Sequence, residues 1–225
     1  MGRRAAVLAA MLGVAASAAA AQQTIFNVPS ADVLERGKTY LEVDALGRPE
    51  APRFGLFTAR GVYGLGGRVE AGINVGGFAV PGRSAPVATP NVKWQPFASD
   101  RITVTTGAVG LFFLRGARDG TPAALGYVHL AGKVGAGTRL TVGGYWASSG
   151  YAAPDVQKGA LAAIEQKVLE HWTLAADWFS GTNGLGYFSP GVVATTGPWA
   201  LYVAYSFKNG DSKGNAALVE IGITF

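Results

Sequence analysis

The chain has 225 residues, of which 33 are Gly, none is Cys and only 15% are charged. The absence of cysteine excludes a disulfide framework, a thiol nucleophile and a thiolate metal site, and with only His129 and His171 present neither a metal site nor a cofactor is expected. The formal net charge of +5 gathers into no Lys/Arg stripe of the kind a nucleic-acid partner requires, and beyond the N-terminus no apolar run approaches the roughly 18 residues of a membrane helix.

Residues 1–21 read as a signal peptide. Arg3 and Arg4 form a positive n-region, Ala5–Ala16 an apolar h-region, and Ala19-Ala20-Ala21 a small-residue cleavage site that leaves Gln22 as the first mature residue. Removing that peptide lowers the formal charge from +5 to +3. Residues 22–38 then form a separate short segment. Ser30 is placed to cap one helical turn over Ala31–Arg36, with Gly37 to stop it. The segment is either a periplasmic lead-in or a small plug.

From Thr39 to Phe225 the signal is alternation. It predicts strands at 39–46, 53–64, 68–79, 90–97, 102–114, 124–134, 139–148, 159–168, 172–180, 187–196, 200–208 and 215–225. The last is the clearest: Ala217, Val219, Ile221, Ile223 and Phe225 share one face, and Leu218, Glu220, Gly222 and Thr224 the other. Period two with one apolar face places one side against lipid or a core. Short links near 65–67, 98–100, 135–137, 169–171 and 196–198 alternate with longer ones, such as 81–90, 116–123, 150–158 and 209–214. That asymmetry is the habit of membrane barrels. The fold class expected is therefore all-β: an antiparallel transmembrane β-barrel over 39–225, with twelve strands and with ten or fourteen as alternatives.

The chemistry of the two faces supports lipid over a soluble core. Trp172, Trp199 and Phe225 stand beside short turns and Trp146, Trp178 and Phe207 toward the long loops, all on the apolar parity, which predicts two aromatic girdles. The opposite parity carries Glu42, Asp44, Arg60, Glu70, Lys93, Arg115, Lys133, Arg139, Glu165, Lys167, Asp177, Lys208 and Glu220. A Lys or Arg facing lipid at mid-depth costs roughly 2–4 kcal/mol, whereas a wet lumen accepts it. Counting up from the short turns, Arg60, Glu70, Lys93, Lys133, Glu165, Lys167, Asp177 and Glu220 are expected to line the pore as a belt between the periplasmic interface and mid-membrane.

The terminal Gly222-Ile223-Thr224-Phe225, on an alternating strand that ends in an aromatic residue, resembles the assembly signal of bacterial outer-membrane β-barrels. Asn27-Val28-Pro29-Ser30-Ala31-Asp32-Val33-Leu34 resembles the start of some uncharacterised porin-like barrels. The resemblance implies location in the bacterial outer membrane, contact with outer-membrane lipid, and recognition of Phe225 by the barrel-insertion machinery. It implies no substrate.

Some such barrels are enzymes. The His with a Ser two residues later that marks outer-membrane phospholipases is absent, because His129 is followed by Leu130 and Ala131. No Gly-x-Ser-x-Gly elbow occurs. His129 is expected as a hydrogen-bonded wall residue, and Glu165, Lys167 and Asp177 as a salt-bridge cluster. No catalytic residues are assigned, and the chain is expected not to be an enzyme. The function expected is a channel for passive or weakly selective passage of small hydrophilic solutes. The alternatives are an outer-membrane enzyme acting on lipid and a closed structural or adhesive barrel.

Overall fold

The computed structural model of the protein describes residues 23–48, 50, 53–80, 83–114, 122–152 and 158–225, with backbone alone at 78–80, 83, 84 and 152. The expected signal peptide, Gln22 as the mature N-terminus, and the inward parity of Arg115 lie outside the described residues. Twelve strands alternate along the chain: β1 (Thr39–Arg48), β2 (Phe54–Gly66), β3 (Val69–Val80), β4 (Arg83–Ala98), β5 (Ile102–Phe113), β6 (Ala123–Gly135), β7 (Thr138–Ala147), β8 (Lys158–Leu169), β9 (Trp172–Phe179), β10 (Tyr187–Thr196), β11 (Trp199–Lys208) and β12 (Ala216–Thr224). A four-residue helix α1 (Ser149–Ala152) and a 3-10 turn (Ser212–Gly214) sit in two of the longer links.

Each strand pairs antiparallel with its sequence neighbour, and β12 pairs with β1, so the sheet closes into a barrel. Closure leaves no row of unpaired edge groups. The seam runs in register from Tyr40↔Thr224 to Gly47↔Ala217. Phe225 finishes it, exchanging hydrogen bonds with Thr39 (Thr39 N to Phe225 O 3.3 Å, Phe225 N to Thr39 O 2.9 Å). The final residue is thus part of the last rung.

Sequence alternation translates directly into two faces. Along β11, Leu201, Val203, Tyr205 and Phe207 are exposed while Ala200, Tyr202, Ala204 and Ser206 are buried. The six girdle aromatics are all exposed on the outer face. At the β2–β3 turn, Gly66 and Gly67 adopt positive φ (+88° and +60°), followed by Arg68 at +61°. Two consecutive glycines make that reversal possible in so few residues.

Two local expectations fail. The link expected over 81–90 is mostly strand: β4 already pairs with β3 at Val80↔Arg83. The sheet accommodates Pro90 by skipping it on one side, because the β4–β5 register runs from Ala88↔Phe112 to Asn91↔Val109 with Thr89 and Pro90 unpaired. The helical turn over Ala31–Arg36 is also absent. Its backbone bonds go to the barrel wall: the Ala31 carbonyl accepts from Gln95 Nε2 (2.8 Å) and Thr105 Oγ1 (3.1 Å), and Leu34 N donates to Glu70 Oε2 (2.7 Å). A tight turn at Arg36-Gly37 follows, with Lys38 N donating to Glu35 O at 3.1 Å.

Candidate functional site

The inward face and the segment 23–38 form one site. Residues 23–30 double back as a narrow turn, closed by Ile25 N to Val28 O (2.8 Å) and Ser30 N to Gln23 O (3.1 Å). Ile25, Phe26, Val28, Ser30, Ala31 and Leu34 are all buried. Ile25 and Phe26 pack with Val193, Ala200, Tyr202 and Leu218, whereas Val28 packs with Tyr127, Tyr145, Leu161 and Phe179. These partners come from seven consecutive strands, β6 to β12, so the segment lies within the barrel. Inward glycines make room for it. A Cβ on Gly191 would stand 2.6 Å from the Phe26 ring, and one on Gly64 2.0 Å from Glu35 O.

Beyond the contacts of Ala31 and Leu34, polar groups hold the segment at several further places. The Asp177 Oδ2 atom accepts three successive backbone N–H groups, from Phe26 (2.9 Å), Asn27 (2.6 Å) and Val28 (2.7 Å). Charge-assisted bonds of this kind are about twice as strong as neutral ones. Asn27 Nδ2 donates to Ser189 Oγ (2.7 Å), which is bonded to Ser206 Oγ (2.7 Å). Lys93 bridges Glu70 (2.9 Å) and the Ser30 hydroxyl (3.3 Å). Arg139 grips Glu165 through two nitrogens (both 2.7 Å) and spends the remaining one on both oxygens of Asp32 (2.8 and 2.9 Å). The planar guanidinium fork suits this double duty.

A separate charged cluster lies where β12, β1 and β2 meet. Arg60 pairs with Glu42 at 3.2 Å, with Asp44 more closely, and with Glu220 at 4.0 Å. Tyr40 donates its hydroxyl hydrogen to Glu42, and Arg60 also reaches Thr24 Oγ1 (3.2 Å). Ligand atoms of Glu42, Asp44 and Glu220 lie within 4.8 Å of one another. They are the carboxylates among the described residues that are spaced to share a cation, and Arg60 already supplies one. Away from the two rims, the described interior holds seven carboxylates (Asp32, Glu42, Asp44, Glu70, Glu165, Asp177 and Glu220) against three cations (Arg60, Lys93 and Arg139).

No protein-family model matches the chain, and no curated protein matches it. Solved structures do. The Salmonella typhi outer membrane phospholipase dimer with bound calcium aligns at 13% identity over 86% of this chain and 91% of that one, with a TM-score of 0.50. An outer membrane channel from Pseudomonas putida F1 aligns at 14% identity over 86% of this chain and 97% of that one, also with a TM-score of 0.50. The fold is that of an outer-membrane β-barrel. One similar structure is an enzyme and the other a channel, so the fold is compatible with either activity.

Within this outer-membrane β-barrel, the residues expected to line the pore separate into two groups. Arg60, Glu70, Lys93, Glu165, Asp177 and Glu220 all point inward and are engaged as described. Lys133 and Lys167 share the inward parity, yet they are exposed beside the short turns and make no ion pair among the described residues. The grouping of Glu165 with Lys167 and Asp177 does not form: Glu165 turns to Arg139 and Asp177 to the segment. His129 is 2% exposed and stacks on Tyr127 (ring centroids 5.7 Å apart, planes at 6°). Neither of its ring nitrogens has a hydrogen-bond partner, so the expected bonding is absent. Thr105, opposite it in the β5–β6 register, gives its hydroxyl to Ala31 O. No described hydroxyl is activated by His129.

The segment's anchorage is what sequence reasoning missed. Its signal was available in one form: Ile25, Phe26, Val28 and Leu34 are apolar residues with no alternating pattern around them. Such residues have to be covered by something.

Proposed function

We propose that the protein is a channel for small hydrophilic solutes in the bacterial outer membrane, with residues 23–38 as its constriction and no catalytic role. The observation that carries this reading is the way the segment is held. Residues 23–34 are attached to the wall by side-chain hydrogen bonds, ion pairs and apolar packing and add no strand to the ladder, so they can shift without opening the barrel. The excess of interior carboxylates over cations supports a preference for cations, sharper than the passive or weakly selective passage expected from the sequence. The unpartnered nitrogens of His129 and the absence of a hydroxyl bonded to it favour this reading over lipid hydrolysis.

The test is conductance of the purified full chain in a planar bilayer under a salt gradient. Small cation-preferring steps are expected. They should grow in a variant that loses two of the anchors, Asp177→Ala with Arg139→Ala. A chain shown to be inserted and heat-modifiable that conducts in neither form would overturn the proposal.

A further inference from the structure

The outward face of the twelve strands is mostly apolar, with a few neutral polar residues such as Thr106 and Gln166 and a single charge among the described residues. Lys158, the first residue of β8, is the one charged side chain on the outward parity among the described residues. It makes no ion pair among those residues. A charge facing lipid is tolerated near the membrane surface and disfavoured toward the centre, and Lys158 lies at the long-loop end.

Lys158 also borders a depression in the outer wall. An open groove of about 640 Å³ runs from Lys158 and Trp146 past Gly126 and Gly144 to Val128 and Thr106. The register explains its shape. Gly126 lies opposite Trp146 on β7, Val128 opposite Gly144, and Trp146 opposite Lys158 on β8. Two glycines thus stand on the outer face between the Trp146 and Val128 side chains. Trp146 and Val128, 53% and 52% exposed, form its sides. Nothing in the barrel itself claims the space: a Cβ on Gly126 would meet no atom within 4 Å, and one on Gly144 would come no closer than 3.4 Å to another.

We propose that this groove binds an acyl chain of an anionic, phosphate-bearing membrane lipid. The phosphate sits on the Lys158 ammonium, and the chain lies beside Trp146 over Gly126 and Gly144 toward mid-membrane. The two halves of the site call for the two halves of such a molecule. An apolar furrow takes a hydrocarbon chain, and the lone outward cation at its membrane-surface end takes a negative head group. The Trp146 ring suits that boundary because it is apolar with one polar edge. The inference rests on the reading of this face as lipid-exposed.

The experiment is native mass spectrometry of the delipidated full chain titrated with phosphatidylglycerol and, separately, phosphatidylcholine of the same acyl chains. Insertion is checked on the same preparation by heat-modifiable migration. At least fivefold preferential retention of phosphatidylglycerol is expected. Lys158→Gln should abolish the preference while retaining some of both lipids. Gly126→Leu, which fills space that is open, should remove the retained lipid while leaving the heat-modifiable barrel intact. Equal retention of the two lipids by the unaltered chain, an undiminished preference in Lys158→Gln, or undiminished retention in Gly126→Leu would overturn the proposal. So would a dimer that retains no lipid and becomes monomeric in Gly126→Leu, since a second copy would then fill the groove. A chain that never inserts would sink the lipid-exposed reading itself, and is told apart by the migration assay.

Discussion

The wall built from β12, β1 and β2 and the wall built from β8 to β11 face one lumen with different chemistry. The first is charged and largely self-contained: Glu42, Asp44 and Glu220 gather around Arg60, and Tyr40 covers Glu42. The second is mostly apolar, with Ala163, Ala175, Val193 and Ala204 around Ile25 and Phe26. Of its two carboxylates, Glu165 pairs with Arg139 on the neighbouring strand, and Asp177 accepts backbone N–H groups of the inserted segment through Oδ2. The difference teaches which contacts serve the barrel and which serve the segment. Charges that pair across adjacent strands hold their own wall. A buried carboxylate whose partners come from 150 residues away in the chain holds a separable piece.

The largest effect should come from breaking the first wall. Arg60→Ala leaves three buried carboxylates facing each other without their cation. Removing one partner of a buried pair costs about 3–5 kcal/mol. Unfolding of the detergent-solubilised barrel in denaturant should register that loss, and a change below about 1 kcal/mol would erase the contrast between the walls. Asp177→Ala tests the second wall from the other side. Three charge-assisted hydrogen bonds go, each contributing about 1.5–3 kcal/mol, but the loss falls on the segment. The expected outcome is protease cleavage within residues 23–38 that speeds up by about tenfold for every 1.4 kcal/mol lost, with barrel unfolding nearly unchanged. Equal loss in both measurements would mean that the segment is part of the barrel's own stability.

Gly222→Ala probes the first wall more gently. The added Cβ would fall 2.2 Å from the Tyr40 hydroxyl oxygen, and overpacking of this kind costs about 1–3 kcal/mol. Unfolding should report it, and Gly222→Ala combined with Tyr40→Phe should recover part of the loss. The smallest effect is expected at Ser189→Ala, which removes the acceptor for Asn27 Nδ2 and the partner of Ser206. One neutral hydrogen bond is worth about 1 kcal/mol. Cleavage of the segment should rise severalfold, well short of the Asp177→Ala rate, and a larger rise would make Asn27 the main anchor.

How much of the site was legible follows from these particulars. Arg60, Glu70, Lys93, Glu165, Asp177 and Glu220 were all placed inward by parity, because in a strand the face of a side chain depends only on whether its number is odd or even. Their partners were not. Glu70 and Lys93 pair because they meet at one rung, whereas Glu165 passes over Lys167 on its own strand for Arg139 across the sheet. Which residues share a rung depends on register, and register depends on turn lengths and on bulges such as those at Lys133/Gly135 and Lys167/Leu169. Those two shifts fall beside the two lysines that stand apart from the interior network. The inward glycines were likewise visible only as an excess, since a Gly that makes room for Phe26 or Tyr40 is defined by its neighbour across space.

By itself, then, the sequence determined the class of fold and the face of the strand side chains, and favoured twelve strands over ten or fourteen. These follow from a local period of two and from turn residues a few positions away, and they need no knowledge of distant chain. Only the tertiary structure decided that residues 23–34 lie inside the barrel, that Asp177 binds backbone and not Lys167, and that Gly126 and Gly144 leave a groove beside Lys158. Each of those depends on what closure of the barrel brings within a few ångströms, and closure joins residues whose separation along the chain carries no pattern to read.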